Sequence, residues 1–117
     1  IEQLAARLDG KRDELVALTT DLVRIPTVNP PGDAYRPCAE LLGRHLHQRG
    51  FEIRYIRAEG APGDSDRCPR VNLVARWETG RPGPCVHFNG HIDVVEAGHG
   101  WSVGPWNAVV RDGNIYG

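Results

Sequence analysis

The stretch His87-Phe-Asn-Gly-His-Ile-Asp-Val-Val95 gathers side chains able to bind or transfer charge. In an extended strand, residues two apart share a face, so His87, Asn89, His91 and Asp93 would line one side. Val86, Phe88, Ile92 and Val94 would line the other. A strand covered on both faces carries apolar residues on both, so polar groups in register are costly unless they bind something. The pair His91 and Asp93 has a specific use. A neutral imidazole is a good zinc ligand, and a nearby carboxylate fixes its tautomer and raises its basicity. At the C-terminal end of a strand in an α/β sheet the pair lies where ligands usually bind, and Gly90 removes bulk beside it. The same two residues also describe a histidine and an aspartate that satisfy each other on a solvated strand. Taken alone, His-x-Asp leaves both readings open.

The elements that must position this stretch are legible from periodicity. Over residues 1–24, Leu4, Leu8, Leu15, Leu18 and Leu22 keep helical spacing between charges, which predicts an amphipathic helix with a break at Gly10. Pro26 ends it, and Ile25-Pro-Thr-Val-Asn-Pro-Pro-Gly32 is a stiff loop. A second helix is expected to start with Asp33 as N-cap and Pro37 in its first turn. Cys38, Leu41, Leu42, His45 and Leu46 face one side, and Gly50 supplies a left-handed end. Strands are expected over 51–57, 71–77 and 85–95, with a closing hairpin of 108–111 and 114–116 turned at Asp112-Gly113. Helices followed by strands argue for an α/β fold, a mixed sheet flanked by helices.

Composition narrows the function classes. The 117 residues are 40% hydrophobic and 25% charged, which suits one small folded domain rather than a disordered tail or a rod. Fourteen Lys and Arg against fifteen Asp and Glu leave a net charge of −1, with no electrostatic case for nucleic acid or an anionic membrane. No apolar run approaches the roughly 18 residues of a membrane span. Three scattered cysteines, Cys38, Cys68 and Cys85, read as free thiols of a cytoplasmic protein.

The string Asn89-Gly-His-Ile-Asp-Val-Val95 resembles the first metal-ligand motif of the zinc aminoacylase and acetylornithine deacetylase family. That family also includes succinyl-diaminopimelate desuccinylase and several di- and carboxypeptidases. Residues 22–32 look like its first loop, and Val71-Asn-Leu-Val-Ala75 looks like the strand before the motif. Gly100-Trp101, Pro105-Trp106 and Asp112-Gly-Asn-Ile-Tyr-Gly117 look like the approach to its second metal motif. The resemblance runs from about residue 10 to the end. It implies a zinc-exopeptidase-like catalytic domain, incomplete at the C-terminus, of which residues 1–117 are the N-terminal portion. His91 would be a metal ligand and Asp93 the catalytic aspartate that orients it. A complete site would hold two Zn2+ ions, with Co2+ as a substitute, and would share a water between them. The bridging aspartate, a glutamate base and the remaining ligands would lie beyond Gly117, so the isolated chain is expected to be inactive. A homodimer through a downstream domain is implied as well. Two positions depart from the pattern. Gly104-Pro105-Trp106 stands where the family has Asp-Pro-Phe, and His87 where it is commonly aliphatic.

Other chemistry-bearing residues have plainer roles. His87 suits a hydrogen-bonded core histidine and His99 an exposed loop. His45 and His47, two apart on a helix, point to different faces. Cys68 and Cys85 lack a Cys-x-x-Cys neighbour for a structural zinc. Trp101 and Trp106 suit loop anchors, and Asp64-Ser-Asp66 a solvated loop. Arg54, Arg57, Arg67, Arg70 and Arg76 are dispersed among acids and form no substrate patch. The function that the resemblance implies is a metal-dependent amidohydrolase that removes an acyl group from an N-acyl amino acid or similar small amide, acetylornithine deacetylase-like. The alternatives are a di- or carboxypeptidase of the same family, or a non-catalytic α/β fragment.

Overall fold

A computed structural model describes residues 2–117; Ile1, where the expected first helix opens, lies outside the described residues, as do the side chains of Glu2 and Leu4. In chain order the elements are α1 (Glu2–Asp9), α2 (Arg12–Val23), α3 (Tyr35–His47), β1 (Glu52–Arg57), β2 (Val71–Arg76), β3 (Val109–Arg111) and β4 (Asn114–Tyr116). The described residues form two compact units. One joins the segment up to Pro26 with Ala97–Gly117, and the other is Thr27–Glu96.

In the first unit the expected break at Gly10 separates α1 from α2. Its leucine stripe is only partly covered: Leu8 and Leu15 are exposed, whereas Leu18 and Leu22 are half-buried. The closing hairpin forms as expected, with Val109 opposite Tyr116 and Arg111 opposite Asn114. Asp112 and Gly113 take φ values of 52° and 76°, the pair of positive angles that a two-residue type I′ turn demands. The Trp101 indole nitrogen donates to the Ala97 carbonyl at 2.6 Å, which makes this residue a loop anchor.

In the second unit β1 and β2 pair antiparallel from Glu52–Arg76 to Arg57–Val71, and α3 packs on both strands. The helix buries Tyr35, Cys38, Ala39 and Gly43. That set keeps helical spacing but is rotated from the expected Cys38, Leu41, Leu42, His45 and Leu46 face. Small residues let the backbones approach: a Cβ built on Gly43 would stand 2.0 Å from the Tyr55 hydroxyl. The N-cap is Ala34, in a left-handed conformation at φ 56°, and not Asp33. The Asp33 carboxylate instead accepts a hydrogen bond from the Cys68 thiol at 3.4 Å, so it is turned away from the helix end. Pro37 falls in the first turn, and Gly50 has φ 86° just past α3, both as expected.

Two expectations are corrected. The strand over 85–95 does not form; its one pairing is a parallel bridge between Val94 and Val28. A strand needs a neighbour to satisfy its backbone donors and acceptors, and among the described residues only 27–29 offer one. Upstream of the bridge Val86 and Phe88 are 72% and 89% exposed, so the alternating pattern has nothing to pack against. For the same reason there is no mixed sheet among the described residues. Helix and sheet are both present, as the α/β reading requires, but the ladders are two separate antiparallel pairs. Among the described residues, no helix is long and apolar enough to cross a membrane.

Candidate functional site

The site lies within the second unit, where the loop after α2 clamps the segment bearing His91 and Asp93. The Thr27 hydroxyl donates to the Ile92 carbonyl, and Thr27 itself is buried. The Val94 amide donates to the Thr27 carbonyl at 3.0 Å, and the Asn29 amide to the Val94 carbonyl at 2.8 Å. These bonds hold the backbone on both sides of Asp93 although no strand is formed.

Within that clamp the Asn29 side-chain amide donates to Asp93 Oδ2 at 3.2 Å. The other carboxylate oxygen, Oδ1, is 3.2 Å from His91 Nδ1, which also lies 2.9 Å from the Asp93 carbonyl oxygen. Both oxygens are acceptors, so in the neutral imidazole Nδ1 carries the proton and Nε2 keeps its lone pair. The His91 side chain is 84% exposed, which leaves Nε2 open to a ligand. Hydrogen bonding from Asn29, reinforced by His91, holds the Asp93 carboxyl below the usual carboxylate range despite some desolvation.

Behind Asn29 stands Arg70. Its Nη2 donates to Asn29 Oδ1 at 3.2 Å, and its guanidinium carbon lies 5.1 Å from the Tyr35 ring centroid. Burial pushes the Tyr35 phenol up, with the Asp93 charge adding to it and Arg70 opposing. Arg70 is placed in turn by Asp64, which accepts from the Arg70 amide at 2.9 Å and from Arg57 Nε at 3.0 Å. Hydrogen bonding from the Arg57 guanidinium, helped by the Arg70 amide, therefore holds the Asp64 carboxyl below its ordinary value.

The expectation of a wholly solvated Asp64-Ser-Asp66 loop is thus corrected. The Asp64 side chain is only 5% exposed because it satisfies donors from both ends of the loop, whereas Asp66 is fully exposed and pairs with Arg57. Of the arginines, Arg57 and Arg70 are turned inward and Arg76 pairs with Glu78. His91 and Asp93 are brought together; His87 and Asn89 stand exposed outside the cluster. His45 is half-buried, while His47 and His99 are exposed. Cys38 and Cys68 are buried free thiols and Cys85 an exposed one. Burial raises the pKa of Cys38, and burial together with Asp33 raises that of Cys68.

Sequence reasoning missed Asn29, Arg70 and Tyr35. The available signals were a polar residue inside a stiff proline loop and an arginine next to an apolar strand. Nothing in their spacing links either one to position 93.

Against known proteins, this chain is 41% identical over 105 residues to succinyl-diaminopimelate desuccinylase 2 of Ruegeria sp. (strain TM1040), covering 87% of the chain and 23% of that protein. It is 39% identical over 107 residues to the succinyl-diaminopimelate desuccinylase of Methylobacterium radiotolerans, covering 90% and 25%. The Cereibacter sphaeroides (strain ATCC 17025) desuccinylase matches at 36% over 104 residues, covering 87% and 24%. The chain belongs to the aminoacylase and desuccinylase family. As a member of that family it spans about a quarter of the length of the curated desuccinylases it matches. No family model matches the chain, and no solved structure does.

A metal is implied by the family resemblance, and the donor set fits one ligand of it. An exposed imidazole whose Nδ1–H donates to a carboxylate presents Nε2 as zinc ligands do. Among the described residues, no group of three or more His, Cys, Asp or Glu that could hold a metal ion converges.

Proposed function

We propose that this chain supplies the His91 and Asp93 portion of a metal-dependent amide hydrolase acting on a small N-acyl amino acid. The observation that carries the reading is the bond between His91 Nδ1 and Asp93, which leaves Nε2 exposed. In the proposal His91 Nε2 holds one metal ion, Zn2+ or Co2+, and Asp93 sets the ring orientation and the site of its proton. A metal bound there would supply a Lewis acid for the amide carbonyl and lower the pKa of a bound water. The partner ligands, a second metal and the general base belong, in this proposal, to the part of the relatives that the chain does not span.

The names of the relatives favour a succinyl group on diaminopimelate as the first substrate to try, ahead of the N-acetylornithine of the acetylornithine deacetylase-like expectation. A dipeptide substrate is the second reading within the family. Free thiols at Cys38, Cys68 and Cys85 suit a reducing compartment such as the cytoplasm, which we include in the proposal. The test is hydrolysis of N-succinyl-diaminopimelate, N-acetylornithine and a dipeptide by the native polypeptide carrying this sequence, before and after chelation. Activity should vanish with the chelator, return with Zn2+ or Co2+, and be lost in His91→Ala. Hydrolysis unchanged by the chelator or by that substitution sinks the reading.

A further inference from the structure

We infer that Asn29 and Arg70 are positioning residues that aim the Asp93 carboxylate at His91. The argument rests on the proposed role of His91 as a ligand and follows from which atoms can donate. A guanidinium only donates and a carboxylate only accepts, whereas a carboxamide does one at each end. Asn29 stands between the two: its oxygen takes Arg70 Nη2 at 3.2 Å, and its nitrogen gives to Asp93 Oδ2 at 3.2 Å. Arg70 therefore decides which end of the Asn29 amide faces Asp93. With Oδ2 occupied, Oδ1 is the oxygen left for His91 Nδ1. A turned amide would set its oxygen against the carboxylate and release both.

Arg70 can serve this purpose because it is itself confined. A Cβ on Gly32 would stand 2.1 Å from Nη1 and one on Gly63 2.2 Å from Nη2, while the Tyr35 ring lies 5.1 Å away. The guanidinium occupies a slot whose walls are two glycines and an aromatic face. Asp64 fixes the backbone on which it is mounted. The chain of contacts Arg70, Asn29, Asp93, His91 thus runs from a half-buried cation to an exposed imidazole.

The test reads the proton on His91 in the native polypeptide carrying this sequence, freed of metal by chelation, with histidine ring nitrogens labelled with 15N, at about pH 8, where an ordinary imidazole is neutral. Long-range proton–nitrogen spectra distinguish Nδ1–H from Nε2–H, and His91→Gln identifies the signals. The unaltered chain should favour Nδ1–H. In Asn29→Asp, which keeps the shape and removes the donor, the Nδ1–H to Nε2–H ratio should fall about threefold. The fall is partial because the Asp93 carbonyl still accepts from Nδ1. Arg70→Met keeps the stem, frees the amide to turn, and should shift the ratio in the same direction by less. An unchanged ratio in either folded variant overturns the inference. So does failure of both variants to fold, since the two residues would then be structural supports. The hydrolase reading stands or falls separately, on chelation and His91→Ala.

Discussion

Asp64 and Asp93 are both carboxylates held by donors, yet their surroundings give them different consequences. Asp64 closes a loop on itself: Arg57, the Arg70 amide and the Gly60 amide all donate to it. Its folded-state pKa is lowered, so its contribution to stability is present above the unfolded carboxylate value of about 3.9. That contribution is lost as the pH falls through the lower folded value. Thermal melts followed by circular dichroism should therefore drop as the pH falls below the ordinary carboxylate value of about 3.9, and Asp64→Asn should flatten that part of the curve. An identical pH profile in the variant would mean that other groups carry the acid sensitivity. The glycines around Arg70 give a second test at this scale. Gly32→Ala or Gly63→Ala brings a methyl group against the guanidinium at φ +96° or +80°, and each should cost about 1–3 kcal/mol in urea unfolding. A loss below about 0.5 kcal/mol would place Arg70 elsewhere.

At the level of elements, α3 depends on its approach to β1 at Gly43 and Tyr55. Alanine in place of glycine inside a helix is ordinarily worth about 1 kcal/mol of stabilisation. Here the added Cβ would sit 2.0 Å from the Tyr55 hydroxyl, so Gly43→Ala should destabilise in the native background. In a Tyr55→Ala background the same change should stabilise by about 1 kcal/mol. A double-mutant cycle by chemical denaturation reads that reversal, and additive effects would show that the helix and strand do not meet there. The elements also divide into those legible in the sequence and those not. The break at Gly10, the end of α3 at Gly50 and the Asp112-Gly113 hairpin are local, set by residues a few positions apart, and all were legible. The strand over 85–95 was misread because alternation says which face a strand could bury, whereas a ladder needs a neighbour. Similarly, His91 and Asp93 could be chosen from their spacing. Their supports could not, since Asn29 is 64 residues from Asp93 and Arg70 is 41 from Asn29.

Across the whole molecule, burial is concentrated in few places. Among the described residues, the buried apolar ones are Tyr35, Cys38, Ala39, Cys68, Val71 and Ala108, all but the last of them in the second unit. The segment most suggestive of chemistry is also the one most open to water upstream of its clamp, with Phe88 89% exposed and residues 81–91 exposed throughout. Full burial of a phenylalanine is worth about 1.5–3 kcal/mol, and Phe88 in this chain gains little of it. Its replacement should therefore be silent. Phe88→Ser should leave unfolding within about 0.5 kcal/mol of the unaltered chain, whereas Tyr35→Ala should cost about 3 kcal/mol. Amide exchange gives the same contrast without mutation. Amides 85–91 should exchange close to the rate of an open chain, while that of Val94, which donates to Thr27, should be protected. A large loss of stability in Phe88→Ser, or slow exchange across 85–91, would mean that this stretch is covered in solution. Its alternating residues would then be doing what their pattern first suggested, as a strand with a partner.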